Sequence, residues 1–207
     1  MTEFYIPAGP GESELTEKRS RFLGHIRPAE TEEEARAFVA EMKKKYYDAR
    51  HNCWCYLLRA GVERYADDGE PQGSAGLPML EVFRREGVTN LACVVTRYFG
   101  GVLLGTGGLS RAYSQSAKDA LTAAGVSVVR RWVEAELRCS YAQYERMKQE
   151  AEGCGAVCVD TEYGAGVALR LLLPEEEAER CRARIFDLSA GKTELSFHGE
   201  ALRAVPL

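Results

Sequence analysis

Leu91-Ala-Cys-Val-Val-Thr-Arg-Tyr98, then Phe99-Gly-Gly-Val-Leu-Leu-Gly-Thr-Gly-Gly108, then Leu109-Ser-Arg-Ala-Tyr-Ser-Gln-Ser-Ala-Lys-Asp-Ala-Leu-Thr-Ala-Ala-Gly125, is the stretch that decides how the first half of this sequence folds. Its opening is a continuous apolar run bounded by Asn90 and Gly100, which predicts a strand buried on both faces. Its close sets Leu109, Ala112, Tyr113, Ser116, Ala117, Ala120 and Leu121 at the three- and four-residue spacing of one helical face, stopped by Gly125. Gly100, Gly101, Gly105, Gly107 and Gly108 lie between them. The unit reads as strand, glycine loop, helix.

Working back from this unit, residues 79–86 read as a short helix stopped by Gly87, preceded by a polar Gly/Pro-rich loop over Tyr65 to Pro78. His51 to Leu58, rich in aromatic and apolar residues, reads as a second buried strand. Thr31-Glu-Glu-Glu34 is a capping box, and Ala35, Phe38, Val39, Met42 and Tyr46 follow at helical spacing, which predicts a helix over 31–46. Lys18-Arg-Ser-Arg-Phe22 opens a further possible strand, with Arg19 and Arg21 on one face and Phe22 opposite.

Working forward, the texture changes after Gly125. A strand to Cys139, a helix over 141–152, strands over 156–163 and 167–173 around Gly164-Ala-Gly166, a helix over 175–189 and a strand over 193–198 give the order βαββαβ, which is ferredoxin-like. The expected fold class is α+β in two domains, residues 1–127 and 128–207, with the junction near 125–130.

The sequence has 207 residues, 45% of them apolar and 28% charged, ordinary globular usage that excludes a disordered or collagen-like chain. Net charge is −4, so a nucleic acid must be met by a local patch rather than by an overall positive field. Residues 1–127 hold 16 basic and 17 acidic side chains and residues 128–207 hold 11 and 14, so acidity leans to the second half. No apolar run approaches the ~20 residues that span a bilayer, so no membrane association is expected. The segment Met1-Thr-Glu-Phe-Tyr-Ile-Pro7 lacks the pattern of a secretory signal, and a cytoplasmic location is expected. Seven cysteines, an odd number with no C-x-x-C pair, are expected to be free thiols holding no metal.

Four groups of residues could carry chemistry. The glycine loop before a helix offers free N–H groups to an anion, and Arg97 and Arg111 flank it with cations, although Gly100-x-x-x-x-Gly105-Thr106 lacks the lysine of a P-loop. The same glycines could serve only tight turns and close packing. Asp67, Asp68 and Glu70 could hold Mg²⁺ or act as general bases, or could form a solvated turn. His51, Cys53 and Cys55 share a strand face, as a nucleophile or metal trio or as core filling. Arg19 and Arg21 could grip phosphates or line a solvated face.

These pieces in this order resemble the YigZ/IMPACT family. The resemblance rests on Lys18-Arg-Ser-Arg-Phe22, Asp48-Ala-Arg-His51 with Cys53-Trp54, Asp67-Asp-Gly-Glu-Pro71, Gly73-Ser-Ala-Gly76 with Pro78, Thr96-Arg-Tyr-Phe-Gly-Gly101, Leu104-Gly-Thr-Gly-Gly-Leu109 and Arg111-Ala-Tyr113. Asn52 stands where a second histidine is usual, Ala66 where serine is usual and Cys55 where alanine is common, the last favouring a core role for Cys55. The resemblance implies a first domain like domain IV of elongation factor G and a second like its domain V. It also implies an RNA- or ribosome-associated translation regulator more than an enzyme; the eukaryotic relatives regulate translation initiation by restraining activation of an initiation-factor kinase, a partner relation not carried over to this two-domain chain.

The expected partners are therefore RNA or the ribosome, with translation factors as a further class, and no cofactor and no catalytic residue are assigned. The expected anion-binding face comprises Arg19, Arg21, Arg50, His51, Arg97 and Arg111 with Gly100, Gly101, Gly105, Gly107 and Gly108, and it loses RNA when Arg97 and Arg111 become glutamate. The alternative is a phosphate- or nucleotide-binding enzyme in which Asp67, Asp68 and Glu70 hold Mg²⁺ beside the glycine loop.

Overall fold

The computed structural model describes residues 3–207. Met1 and Thr2, where the reading of the N-terminal segment begins, lie outside the described residues. In chain order the elements are β1 (Phe4–Pro7), β2 (Gly11–Glu17), β3 (Ser20–Pro28), α1 (Glu32–Lys45), β4 (His51–Leu57), β5 (Glu63–Ala66), α2 (Gly76–Glu86), β6 (Leu91–Tyr98), α3 (Gly105–Ala124), β7 (Val126–Cys139), α4 (Tyr144–Gly153), β8 (Val157–Tyr163), β9 (Val167–Pro174), α5 (Ala178–Leu188) and β10 (Leu195–Pro206). The chain forms two compact units, Phe4–Val129 with Ala204–Leu207, and Arg130–Arg203 with Glu3. The fold class is α+β.

In the first unit a five-stranded sheet runs in the order β2-β3-β6-β4-β5, every neighbour antiparallel. β6 takes the centre, with seven of its eight residues buried and both of its faces covered. Ala92 and Val94 face a layer built with Phe38, Val39, Met42 and Tyr56. Cys93 and Val95 face the opposite layer with Phe22, Met79, Phe83, Tyr113 and Ala117. Thus α1 covers one face, α2 and α3 the other. Since β3 and β4 are both antiparallel to β6, they run parallel to each other, and α1 is the crossover joining them with β6 inserted between.

The capping box forms as read: the Glu34 N–H donates to Thr31 Oγ1 (3.2 Å) and the Thr31 N–H to Glu34 Oε2 (3.3 Å). Glu32–Glu34 in the first turn of α1 and Lys43–Lys45 in the last complement its dipole. Seven α3 residues are buried, the same seven that the helical spacing selects.

The structure departs from the sequence reading at four places in this unit. The loop from Tyr65 to Pro78 is shorter, because Tyr65 and Ala66 belong to edge strand β5 and α2 starts at Gly76. The second half of the glycine loop is helical: Gly105 through Gly108 form the first turn of α3. Arg19 is not on a strand face, because Lys18 and Arg19 (φ 47° and 68°) make the two-residue turn between β2 and β3, whose pairing closes at Glu17 and Ser20. Phe4–Pro7 form strand β1, paired with Val126–Val129 at the start of β7.

From Arg130 onward the second unit follows βαββαβ, with its strands ordered β10-β7-β9-β8, the ferredoxin-like arrangement. Val133, Ala135 and Leu137 of β7 and Leu169, Leu171 and Leu173 of β9 pack against Met147 and Ala151 of α4 and Cys181 and Ile185 of α5. Alternation sends Glu134, Glu136, Arg138 and Arg170 to the other face, where they pair with one another and with Arg203 and Glu162. Among the described residues no helix is long and apolar enough to cross a membrane.

Candidate nucleic-acid interface

Asp67, Asp68 and Glu70 are adjacent in sequence, yet each enters a different set of bonds. Asp67 Oδ1 accepts the N–H groups of Ala75 (3.0 Å) and Gly76 (2.9 Å), and Oδ2 that of Gly73 (2.7 Å). It thereby supplies the acceptor that the N-cap residue of α2, Ala75, lacks. Asp68, at φ 45°, accepts Lys43 Nζ (2.7 Å) on one oxygen and the Asn52 N–H (2.7 Å) on the other. Burial favours the protonated form of Asp68, but Lys43 and the Asn52 N–H outweigh it and hold the carboxyl below its ordinary range. Glu70 turns inward, accepting Arg97 Nη1 (2.7 Å) and the Tyr113 hydroxyl (2.8 Å) on Oε1. The three carboxylates are thus spent on the chain itself, and the described residues contain no group of three His, Cys, Asp or Glu side chains that could hold a metal ion.

The register across β3, β6 and β4 sets Phe22, Arg97 and His51 side by side beneath this loop. Arg97 is 4% exposed. Its Nη2 donates to Ser20 Oγ (3.2 Å), and its guanidinium lies 5.4 Å from the ring centres of Phe22 and Phe99. Since Glu70 neutralises it under the surface, Arg97 is not the free cation that the sequence suggests. The Arg97→Glu change would set a second buried carboxylate against Glu70 and break the fold rather than test a surface. His51 Nδ1 lies 2.8 Å from the Asp68 carbonyl and donates to it, since a carbonyl only accepts, and Nε2 lies 3.9 Å from Glu70 Oε2. The Cys53 thiol donates to the Asp67 carbonyl (3.0 Å), and burial pushes its pKa far up, so it is no nucleophile. Cys55 is core filling, wholly buried beside Cys93.

Above this buried cluster the backbone from Phe99 to Leu104 surfaces. Gly100 is required there because a Cβ would stand 2.0 Å from the Arg19 carbonyl carbon; its N–H donates to Ser20 Oγ (3.2 Å). Arg19 and Gly100 are therefore in backbone contact. Arg50 lies over the Phe99 ring (5.5 Å). α3 begins at Gly105 (φ 71°) with no side-chain cap, which leaves its first-turn amides open. Arg111 Nη1 lies 3.7 Å from where a Cβ on Gly107 would be. Among the described residues Arg19, Arg50 and Arg111 have no carboxylate partner, and no Asp or Glu occurs between Glu86 and Asp119. Arg21 stands apart: on the face of β3 opposite Phe22, it forms a two-bond pair with Glu14 (2.6 and 2.9 Å).

The structure thus gathers Arg19, Arg50, Gly100, Gly101, Gly105, Gly107, Gly108 and Arg111 along one exposed rim and puts His51 and Arg97 beneath it. Phe99, Ser20 and Tyr113 complete the arrangement. Tyr113 and Ser20 belong to matched motifs, but only the three-dimensional pairing reveals that Ser20 joins the turn to the loop and that Phe99 bridges two arginines.

Comparison with known proteins adds to this geometry. The Impact N-terminal domain family matches residues 18–121, the whole of the buried cluster and the rim. The chain belongs to the IMPACT family. A domain of unknown function, DUF1949, matches residues 137–192 in the second unit. The IMPACT family member YigZ of Escherichia coli is 34% identical over 199 residues, covering 94% of this chain and 98% of its own. YvyE of Bacillus subtilis, also named an IMPACT family member, is 33% identical over 197 residues, covering 94% and 91%. Protein IMPACT of Mus musculus is 32% identical over 98 residues, 44% of this chain and 30% of its own, so the likeness to the animal protein is partial. A crystal structure of a hypothetical protein, 33% identical, superposes with a TM-score of 0.60 over 96% of this chain and 98% of its own.

Proposed function

We propose that this IMPACT-family chain is a cytoplasmic RNA-binding protein that acts in translational control, holding the sugar-phosphate backbone of RNA, ribosomal RNA included, on the rim from Arg19 and Arg50 through the glycine segment to Arg111. Translation factors are a further partner class in this reading. The observation that carries it is the set of three arginines without carboxylate partners around an uncapped helix start, in a chain whose net charge is −4. A net negative chain repels a polyanion everywhere except where unpaired cations and open N–H groups coincide. Glu70, Asp67 and Asp68, close in sequence to one another, are each bonded to groups of the chain itself. Phe99 adds an aromatic face on which a base can stack.

The test is the triple substitution Arg19→Glu, Arg50→Glu, Arg111→Glu, assayed against single-stranded RNA over a salt series. All three side chains are exposed. The three rim contacts are expected to contribute about −2 to the wild-type slope of log K against log salt, about −0.7 each, and the variant is expected to lose binding at an unchanged melting temperature. A folded triple variant that binds as tightly as wild type overturns the reading.

A further inference from the structure

Residues of α2 and α3 line a cleft of about 510 Å³, among them Arg85, Arg111 and Lys118, Ser110 and Ser114, and a single carboxylate, Glu86. Arg111 belongs to both places: it lies against Gly107 in the first turn of α3 and forms part of the wall of this cleft. We infer that the cleft is a second phosphate-binding subsite for RNA, in which the strand held at the glycine segment continues along α3 from Arg111 to Arg85 and Lys118. The inference rests on the RNA-binding reading above and deepens it by assigning the direction and length of the track.

Charge decides the occupant. Three cations face one carboxylate, and Arg111 has no carboxylate partner among the described residues. Arg85 uses only Nε, donating to the Glu81 carbonyl (3.1 Å), so the forked end of its guanidinium is free for a phosphate. Lys118 is 3.3 Å from Glu86, but the pair is open to solvent, with side chains 56% and 42% exposed, so exchanging that carboxylate for a phosphate costs little. Both serine hydroxyls donate to backbone carbonyls, Ser110 to Ser74 (3.4 Å) and Ser114 to Pro78 (3.2 Å). Their oxygens therefore remain as acceptors, the role that a ribose 2′-hydroxyl donor requires and a deoxyribose does not. From Gly105 to Lys118 the helix rises about 20 Å, room for several nucleotides.

The experiment compares the full chain with Arg85→Glu/Lys118→Glu and with the milder Arg85→Gln/Lys118→Gln. The probes are oligouridylates of about four and about twelve nucleotides, and the oligodeoxyuridylate of the longer length. For the longer RNA the glutamate pair is expected to weaken binding about tenfold and to shift the salt slope by about 1.4 toward zero, two contacts at ~0.7 each. The glutamine pair shows a smaller loss in the same direction, the short RNA is unaffected, and the DNA probe responds less than the RNA. Equal binding of the longer RNA by wild type and both pairs, with an unchanged slope, overturns the cleft while leaving the rim standing. Absence of RNA binding by wild type overturns both.

Discussion

Removing the Glu70 carboxylate is expected to damage the first unit more than any surface change. Arg97 and Glu70 have side chains only 5% and 4% exposed, joined at 2.7 Å, with the Tyr113 hydroxyl on the same oxygen at 2.8 Å. Taking the carboxylate away leaves a guanidinium under the surface with Ser20 as its remaining acceptor, its Nε already without a partner. An uncompensated buried charge costs about 3–5 kcal/mol, a large share of the roughly 5–15 kcal/mol that holds a domain folded. At about 2–8 °C per kcal/mol, Glu70→Ala should lower the melting temperature by at least about 6 °C. The double replacement Glu70→Leu with Arg97→Met removes both charges and should be less destabilised than Glu70→Ala alone. Urea unfolding is followed by Trp54 fluorescence in a Trp132→Phe background, so that the signal reports the first unit. A loss below about 1 kcal/mol for Glu70→Ala, or a double variant weaker than the single one, would refute the claim that this ion pair is the buried tie between loop and sheet.

Two further predictions concern titration and thiols. His25 is buried on β3, stacked on Tyr46 with ring centres 5.2 Å apart, with Nδ1 3.4 Å from Glu12 and Nε2 unpartnered. Burial, helped by Lys45 and opposed by Glu12, lowers its pKa, so the unfolded chain binds the extra proton first. His25 therefore contributes stability that is full above its ordinary value of about 6.5 and lost as pH falls through its folded value; His25→Gln should flatten the stability profile between about pH 7 and pH 5, and an unchanged slope would contradict this. Among the seven free thiols only Cys158 is half-exposed, whereas burial raises the pKa of Cys53, Cys55 and Cys93 and pushes Cys181 up to about 12. Peptide mapping after brief iodoacetamide treatment of the native chain should find label on Cys158 first; equal labelling of Cys93 would show the core to be open.

The parts of the fold legible in the sequence are those whose signal is local. The buried stripe of α3, the capping box of α1 and the two-sided burial of β6 each follow from spacing within one segment. β5 was illegible because Glu63-Arg-Tyr-Ala66 is a short polar edge strand, specified by its pairing with Trp54–Leu57. The Lys18-Arg19 turn carries neither glycine nor asparagine, so its left-handed backbone has no residue-level marker. Within the candidate site, the exposed glycines and arginines could be picked out, but not which arginine is free. Arg97 sits in the same motif as the glycine segment, and its neutralising partner Glu70 stands 27 residues earlier, on a loop whose approach depends on the Asp67 bonds to Gly73, Ala75 and Gly76. Charge in a sequence shows which side chains are cations, while only the packing shows which of them still face the solvent.

Ultraviolet crosslinking of the intact chain to RNA in cells, followed by mapping of the modified peptides, tests the central claim most directly. The account predicts adducts centred on Tyr98–Leu104, with Phe99 the principal site because its ring is partly exposed beside Arg50. Ribosomal RNA should be among the crosslinked species, and the adducts should vanish in the Arg19→Glu, Arg50→Glu, Arg111→Glu protein. Adducts confined to peptides from Arg130–Arg203, or adducts on the rim that persist in the charge-reversed protein, would contradict it.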